Sequence, residues 1–293
     1  KENIKIEFLD TKNKKVLPKK YKLLGPKEIN SGSTSFGSLK EVSIWRGEES
    51  DKVTLHELIH YHNLDFHHRS NNEPINILIS QYFNINPNID KLVNESYTEI
   101  WGNLFNLMMI TCEIKDLNHH LTLNELFTRL FKLELYYSLF QVSKILDFFF
   151  FKDIDDFVKP YNENPNMKFQ QSTSVFSYFF IKTALLFNLE EFIQFVQENQ
   201  YNDQDLYSHS IKLRDGALNN FKDLILDLAK NREYLDALNY FMKMIHQKHR
   251  ISKKKTKKRL NKKTNKKTPN TKLIHKYSNH LRNTLRMTCV ESF

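Results

Sequence analysis

One run of five residues, His56-Glu57-Leu58-Ile59-His60, constrains this chain more than any other. Residues four apart on an α-helix share one face, so a helix through this run brings both imidazoles to one point. Two histidines so placed can bind one zinc ion. Glu57, one step around the helix, carries a carboxylate that can reach a water on that metal. The flanking run 53–61 holds no Gly or Pro and is mainly apolar before and between the histidines. It suits a helix buried on one side with its polar face toward a cleft, and Asp51 stands where an N-cap belongs. The plainer alternative is a surface helix whose histidines are incidental.

Zinc needs a third protein ligand. The metzincin pattern takes a histidine six residues past the second one, but that position is Phe66, and Asn63 stands where a glycine is required. His67 and His68 come one and two residues too late. A glutamate from a later helix is the other source. The segment Asn94-Glu95-Ser96-Tyr97-Thr98-Glu99-Ile100-Trp101-Gly102 offers two, Glu95 and Glu99, again four apart on one face. One carboxylate can bind the metal while the other fixes the tautomer of a ligand histidine. Read without the histidines, the pair is simply a solvated helix face.

Together, His-Glu-x-x-His and the later Asn-Glu-x-x-x-acidic-hydrophobic-aromatic-Gly resemble the gluzincin metallopeptidases, the thermolysin-like clan, over residues 53–102. The spacing also resembles that of the clostridial neurotoxin light chains of the same broad clan. The resemblance implies a zinc-dependent peptidase that hydrolyses peptide bonds through a metal-bound water. It implies His56, His60 and Glu95 as zinc ligands, Glu57 as general base and Glu99 as the acid behind His56. Two departures matter: 34 residues separate His60 from Glu95, and Glu99 replaces an aspartate. The extra methylene leaves the roles of Glu95 and Glu99 open to exchange. An electrophile for the developing oxyanion is also required; Tyr136, Tyr137, Tyr178, His119, His120 and His209 are the candidates.

Charge divides the chain. Residues 250–293 carry 15 Lys and Arg against one acid, Glu291, whereas the preceding 249 carry 29 against 33. The body is thus mildly acidic and the end strongly basic. The stretch 250–276, dense in Lys253, Lys254, Lys255, Lys257, Lys258 and Arg259, reads as a disordered tail repelled by its own charge. It can serve as a nucleic-acid or acidic-partner contact, or as a nuclear localisation signal. It has no aromatic residue from 251 to 275, so base stacking is not expected. The alternative function is therefore a nucleic-acid-associated or binding protein that uses this tail, with an inactive zincin fold.

The expected fold class is α+β, mostly α: a small N-terminal β-sheet, a zincin-type active-site helix, a helical C-terminal region, then the tail. Residues 1–249 form the zincin-like metallopeptidase domain, β-rich over 1–50 and helical over 53–249, with a possible boundary at 159–166. Ile4 to Phe8 and Glu41 to Arg46 alternate as strands, and Ser31–Ser38 reads as a Ser/Gly-rich loop. The strand at 41–46, just before the histidine helix, is the candidate edge for an extended peptide substrate. Helices are expected near 53–65, 75–83, 90–114, 122–151, 172–188, 190–198, 209–229 and 231–249, with Thr122 capping the fourth and a short terminal helix near 273–287. Two cysteines, with Cys112 expected buried, fit an intracellular, reducing compartment. No apolar run is long enough to span a membrane.

Overall fold

In the computed structural model the fold is α+β and mostly helical. It describes residues 4–9, 11–36, 40–66, 73–117, 120–162, 169–201, 211–259 and 281–291, with only the backbone over 248–259. Three strands, β1 (Lys5–Phe8), β2 (Gly32–Phe36) and β3 (Lys40–Ile44), form a sheet in the order β1-β3-β2, and a single-turn helix, α1 (Pro26–Ile29), precedes β2 in the chain. β1 runs parallel to β3, with Ile6 opposite Val42; β2 runs antiparallel, with Thr34 opposite Val42.

Two strand expectations are overturned here. β3, expected at the edge, is the central strand, and the edge beside the histidine helix is β2, which the Ser/Gly content disguised as a loop. The reason is local. The hydroxyl of Thr34 donates to the carbonyl and carboxylate of Glu57, so a polar side chain on β2 is satisfied by the neighbouring helix.

That helix, α2 (Ser50–Tyr61), packs on β2, β3 and α4 (Asn94–Leu117). Its N-cap is Glu49, in the left-handed region at φ 61°, and not Asp51, which lies in the first turn. Glu49 does not cap with its side chain because that carboxylate is committed elsewhere, to Lys15 and to the backbone of Met287 and Thr288. α2 and α4 cross closely at Gly102, where an added Cβ would lie 3.3–3.4 Å from the Cβ, Cα and N of His56. The glycine of the second motif is thus a close-approach glycine.

Beyond them come α3 (Glu73–Tyr82), α5 (Leu123–Phe148), the short α6 (Ile154–Phe157), a π-helical segment (Phe176–Ile181) running into α7 (Lys182–Phe187), α8 (Leu189–Asn199), α9 (Ala217–Ala229) and α10 (Arg232–Arg259). Thr122 caps α5 in a reciprocal box with Glu125. One hydrophobic core takes in Leu146 of α5, Phe180 of the π segment and Leu285 near the chain's end, so it spans both sides of 159–166. Cys112 is exposed, not buried: on α4 it sits one step past the buried Thr111. Among the described residues no helix is long and apolar enough to cross a membrane.

The basic end also departs from a solvated tail. α10 stays helical through Arg259, and 281–291 is built into the body. Leu285, Met287 and Val290 are buried, and Thr284 bridges to Val16. Of the expected terminal helix at 273–287, residues 281–283 are helical and Thr284 to Met287 are not, while 273–280 lie outside the described residues. The interior holds this segment through polar groups. Lys144 donates to the carbonyls of Leu281 and Thr284, Lys182 to that of Met287, and Glu134 accepts from Thr288 and Cys289. Residues 260–280 lie outside the described part of the chain.

Candidate metal centre

Helical spacing delivers the histidines as the sequence implies. His56 and His60 lie one turn apart on α2, both buried, and their Nε2 atoms are 3.1 Å apart. Glu95, in the first turn of α4, places Oε2 3.5 Å from the Nε2 of His56 and 3.4 Å from that of His60. A zinc ion bound at about 2.0–2.1 Å in tetrahedral geometry has ligand–ligand edges of about 3.3–3.4 Å. The three atoms therefore outline one face of a zinc tetrahedron, and the donor set of two imidazoles and a carboxylate fits the ion.

The outward ring nitrogens face carboxylates. His60 Nδ1 lies 2.7 Å from Asp65 Oδ2, and His56 Nδ1 lies 3.1 Å from Glu99 Oε2, although out of line for a regular hydrogen bond. This arrangement directs the Nδ1 protons outward and leaves both Nε2 atoms to the centre. Glu99 is held in turn by Lys52, whose Nζ lies 2.5 Å from Oε1, with both side chains about 1% exposed. Of the two glutamates, Glu95 belongs to the group that could hold a metal, while Glu99 stands behind His56.

The electrostatics favour a cation at the triangle. Burial opposes charge on every member, yet the neighbouring carboxylates raise the pKa of His60 well above its ordinary value and also raise that of His56. Burial likewise opposes ionisation of Glu95, but His60 and His56 outweigh it and hold the carboxyl well below its usual range. For Glu99 the Lys52 ammonium overcomes burial and brings the value down to about 2.

Glu57 points to the β2 side, where Thr34 donates to its Oε2 at 2.8 Å. Gly32 is closely packed there. A Cβ at that position would lie 2.8 Å from Val53, 2.9 Å from Ile44 and 3.0 Å from Glu57 Oε1. His56, Glu57, Glu99 and Tyr178 share a cavity with Gly32, Lys15 and Met287, with room for about one water molecule.

Tyr178 is the electrophile candidate that the fold brings in. Its hydroxyl donates to Glu95 Oε2 at 3.1 Å from the π-helical segment, an irregularity common near functional sites. Burial, then the charges of Glu95, Glu57 and Glu99, push its pKa well up, so it remains a donor. The others are elsewhere. Tyr136 and His120 are exposed, Tyr137 accepts from Gln141, and His119 and His209 lie outside the described residues. Lys253, Lys254, Lys255, Lys257, Lys258 and Arg259 lie on the last turns of α10 and are not part of this group of residues.

Asp65 and Lys52 were not read from the sequence as site residues. Lys52 had a signal: it precedes His56 by four positions, as His56 precedes His60. Asp65 had none, because it reaches His60 only through the turn that follows α2. No protein-family model, curated protein or solved structure matches the chain.

Proposed function

We propose that the chain is a zinc-dependent peptidase of gluzincin type. The observation that carries this reading is the tetrahedral face formed by His56, His60 and Glu95, with both histidines backed by carboxylates. Zinc held there supplies a Lewis acid for a peptide carbonyl and lowers the pKa of a water. Glu57 takes the proton of the attacking water and hands it to the leaving amine. Tyr178 donates to the oxygen that gains charge. The edge strand β2, with Gly32 lining the same cavity, takes an extended peptide by backbone hydrogen bonds.

The substrate is a peptide or protein. An acidic or nucleic-acid partner on 250–276 is a separate proposal that the hydrolytic reading does not need. Elemental analysis of the wild type and His60→Ala tests the central claim. About one zinc per wild-type chain, lost in the variant, is the expected result. Absence of zinc from both after its addition at neutral pH overturns it.

A further inference from the structure

Lys52, His56 and His60 form a ladder on α2, each four residues from the next, facing Glu95 and Glu99 on α4. Glu95 lies between His60 and His56; Glu99 lies between His56 and Lys52. Every rung is buried. We propose that Lys52 is a positioning residue for the metal site, fixing Glu99 behind His56 and thereby leaving Glu95 as the ligand. The inference rests on the zinc reading above and adds to it the residue that separates the roles of two otherwise similar glutamates.

The geometry divides the Glu99 carboxylate between two partners. Oε1 belongs to Lys52 at 2.5 Å and Oε2 faces His56 Nδ1 at 3.1 Å. A carboxylate gripped at one oxygen cannot turn about its final bond, so the other oxygen stays against the imidazole. Without Lys52, what holds Glu99 toward α2 is His56, out of line for a regular hydrogen bond, while the charge of Lys182 also acts on it. Lys182 already donates to Ser138 and to the Met287 carbonyl and lies 3.9 Å from Glu134. Glu99 would turn toward that cluster and release His56. An outer partner of this kind is worth roughly 10- to 100-fold in metal affinity.

The test is zinc affinity of the full chain, measured by competition with a chromophoric chelator, together with the visible absorption of the cobalt(II) form. Lys52→Met removes the grip, and Lys52→Arg keeps the charge without placing one nitrogen where Nζ sits. Lys144→Met is the control, a buried lysine that serves only the carbonyls of Leu281 and Thr284 among its hydrogen bonds. Expected are zinc binding weaker by about 10- to 100-fold in Lys52→Met, a smaller loss in Lys52→Arg, and an altered cobalt spectrum in both. Lys144→Met should keep wild-type affinity and spectrum. Wild-type affinity and spectrum in either Lys52 variant that folds overturns the proposal, so Lys52→Arg decides if Lys52→Met does not fold. An equal loss in Lys144→Met also overturns it, since the effect would then be general destabilisation. A wild-type chain that binds no zinc removes the peptidase reading itself, a failure distinct from these.

Discussion

Asp65 meets His60 from beyond the end of the helix that carries it: Oδ2 lies 2.7 Å from Nδ1, and the Asp65 side chain is 1% exposed. The chain makes this return by leaving α2 through Asn63 in the left-handed region, at φ 51°. Asn tolerates that conformation better than most residues. The contact holds the ring by its outer nitrogen, so Asp65→Ala should weaken zinc binding by roughly 10- to 100-fold with little change in secondary structure. Chelator competition and circular dichroism on the same samples measure both halves. Undiminished affinity would show that Asp65 does not orient the ring.

Glu57 contributes no atom to the metal triangle, and its carboxylate is oriented by Thr34. Glu57→Gln preserves shape and the Thr34 contact but cannot take a proton. It should bind zinc like the wild type and lose at least about 100-fold in turnover, within the usual range for general-base catalysis. Zinc content and peptide hydrolysis, compared side by side, separate binding from chemistry. Full turnover in this variant would remove Glu57 as the base.

Tyr178→Phe deletes one hydroxyl from a buried position beside Glu95. Loss of a single oxyanion donor costs about 100- to 1,000-fold in kcat. The expected signature is a fall in kcat of that size with KM nearly unchanged and zinc retained. A drop in zinc content instead would assign the hydroxyl to orienting Glu95.

Those three residues mark how far the sequence could be read. His56, Glu57, His60, Glu95 and Glu99 are legible because helical periodicity alone puts residues four apart on one face, whatever the rest of the chain does. Asp65 and Tyr178 join the site through a turn and through a packed helix more than 80 residues from Glu95, and no periodicity encodes either meeting. Most helices were legible from apolar spacing. The edge strand was not, because Gly32, Ser33, Thr34 and Ser35 look like loop until Glu57 is placed beside Thr34.

The packed segment near the end was not legible for a related reason. Lysine density marks 250–276 as a solvated tail, yet residues 281–291 beyond it supply partners to buried carboxylates. The N–H groups of Met287 and Thr288 donate to Glu49 at 2.5 and 2.6 Å, and Thr288 and Cys289 donate to Glu134. Truncation after residue 280 should therefore destabilise, since Glu49 and Glu134 keep Lys15 and Asn103 but lose these donors, and a buried acceptor left unpaired costs about 1–3 kcal/mol. Melting of the truncated chain against the full one tests this. An unchanged Tm would mean that the segment rests on the body without supporting it.

The final prediction concerns pH. Lys144 is buried among the carbonyls of Leu281 and Thr284 and the Phe140 ring, and burial lowers its pKa from 10.5 to about 7. Between those two values the unfolded chain binds more protons at this site than the folded one, so stability rises with pH. Below about 7 the lysine is protonated in both states and this dependence fades. Lys144→Met has no such group. The wild type should gain on the variant by on the order of 1–2 kcal/mol between about pH 7 and 8.5, at up to about 1.4 kcal/mol per pH unit. Lys91, lowered to about 8 by burial, titrates in both proteins and cancels in the difference. Urea unfolding of the two proteins across this range supplies the comparison. Parallel stability curves would show that the Lys144 ammonium keeps its proton in the folded chain, held by the two carbonyls against the cost of burial.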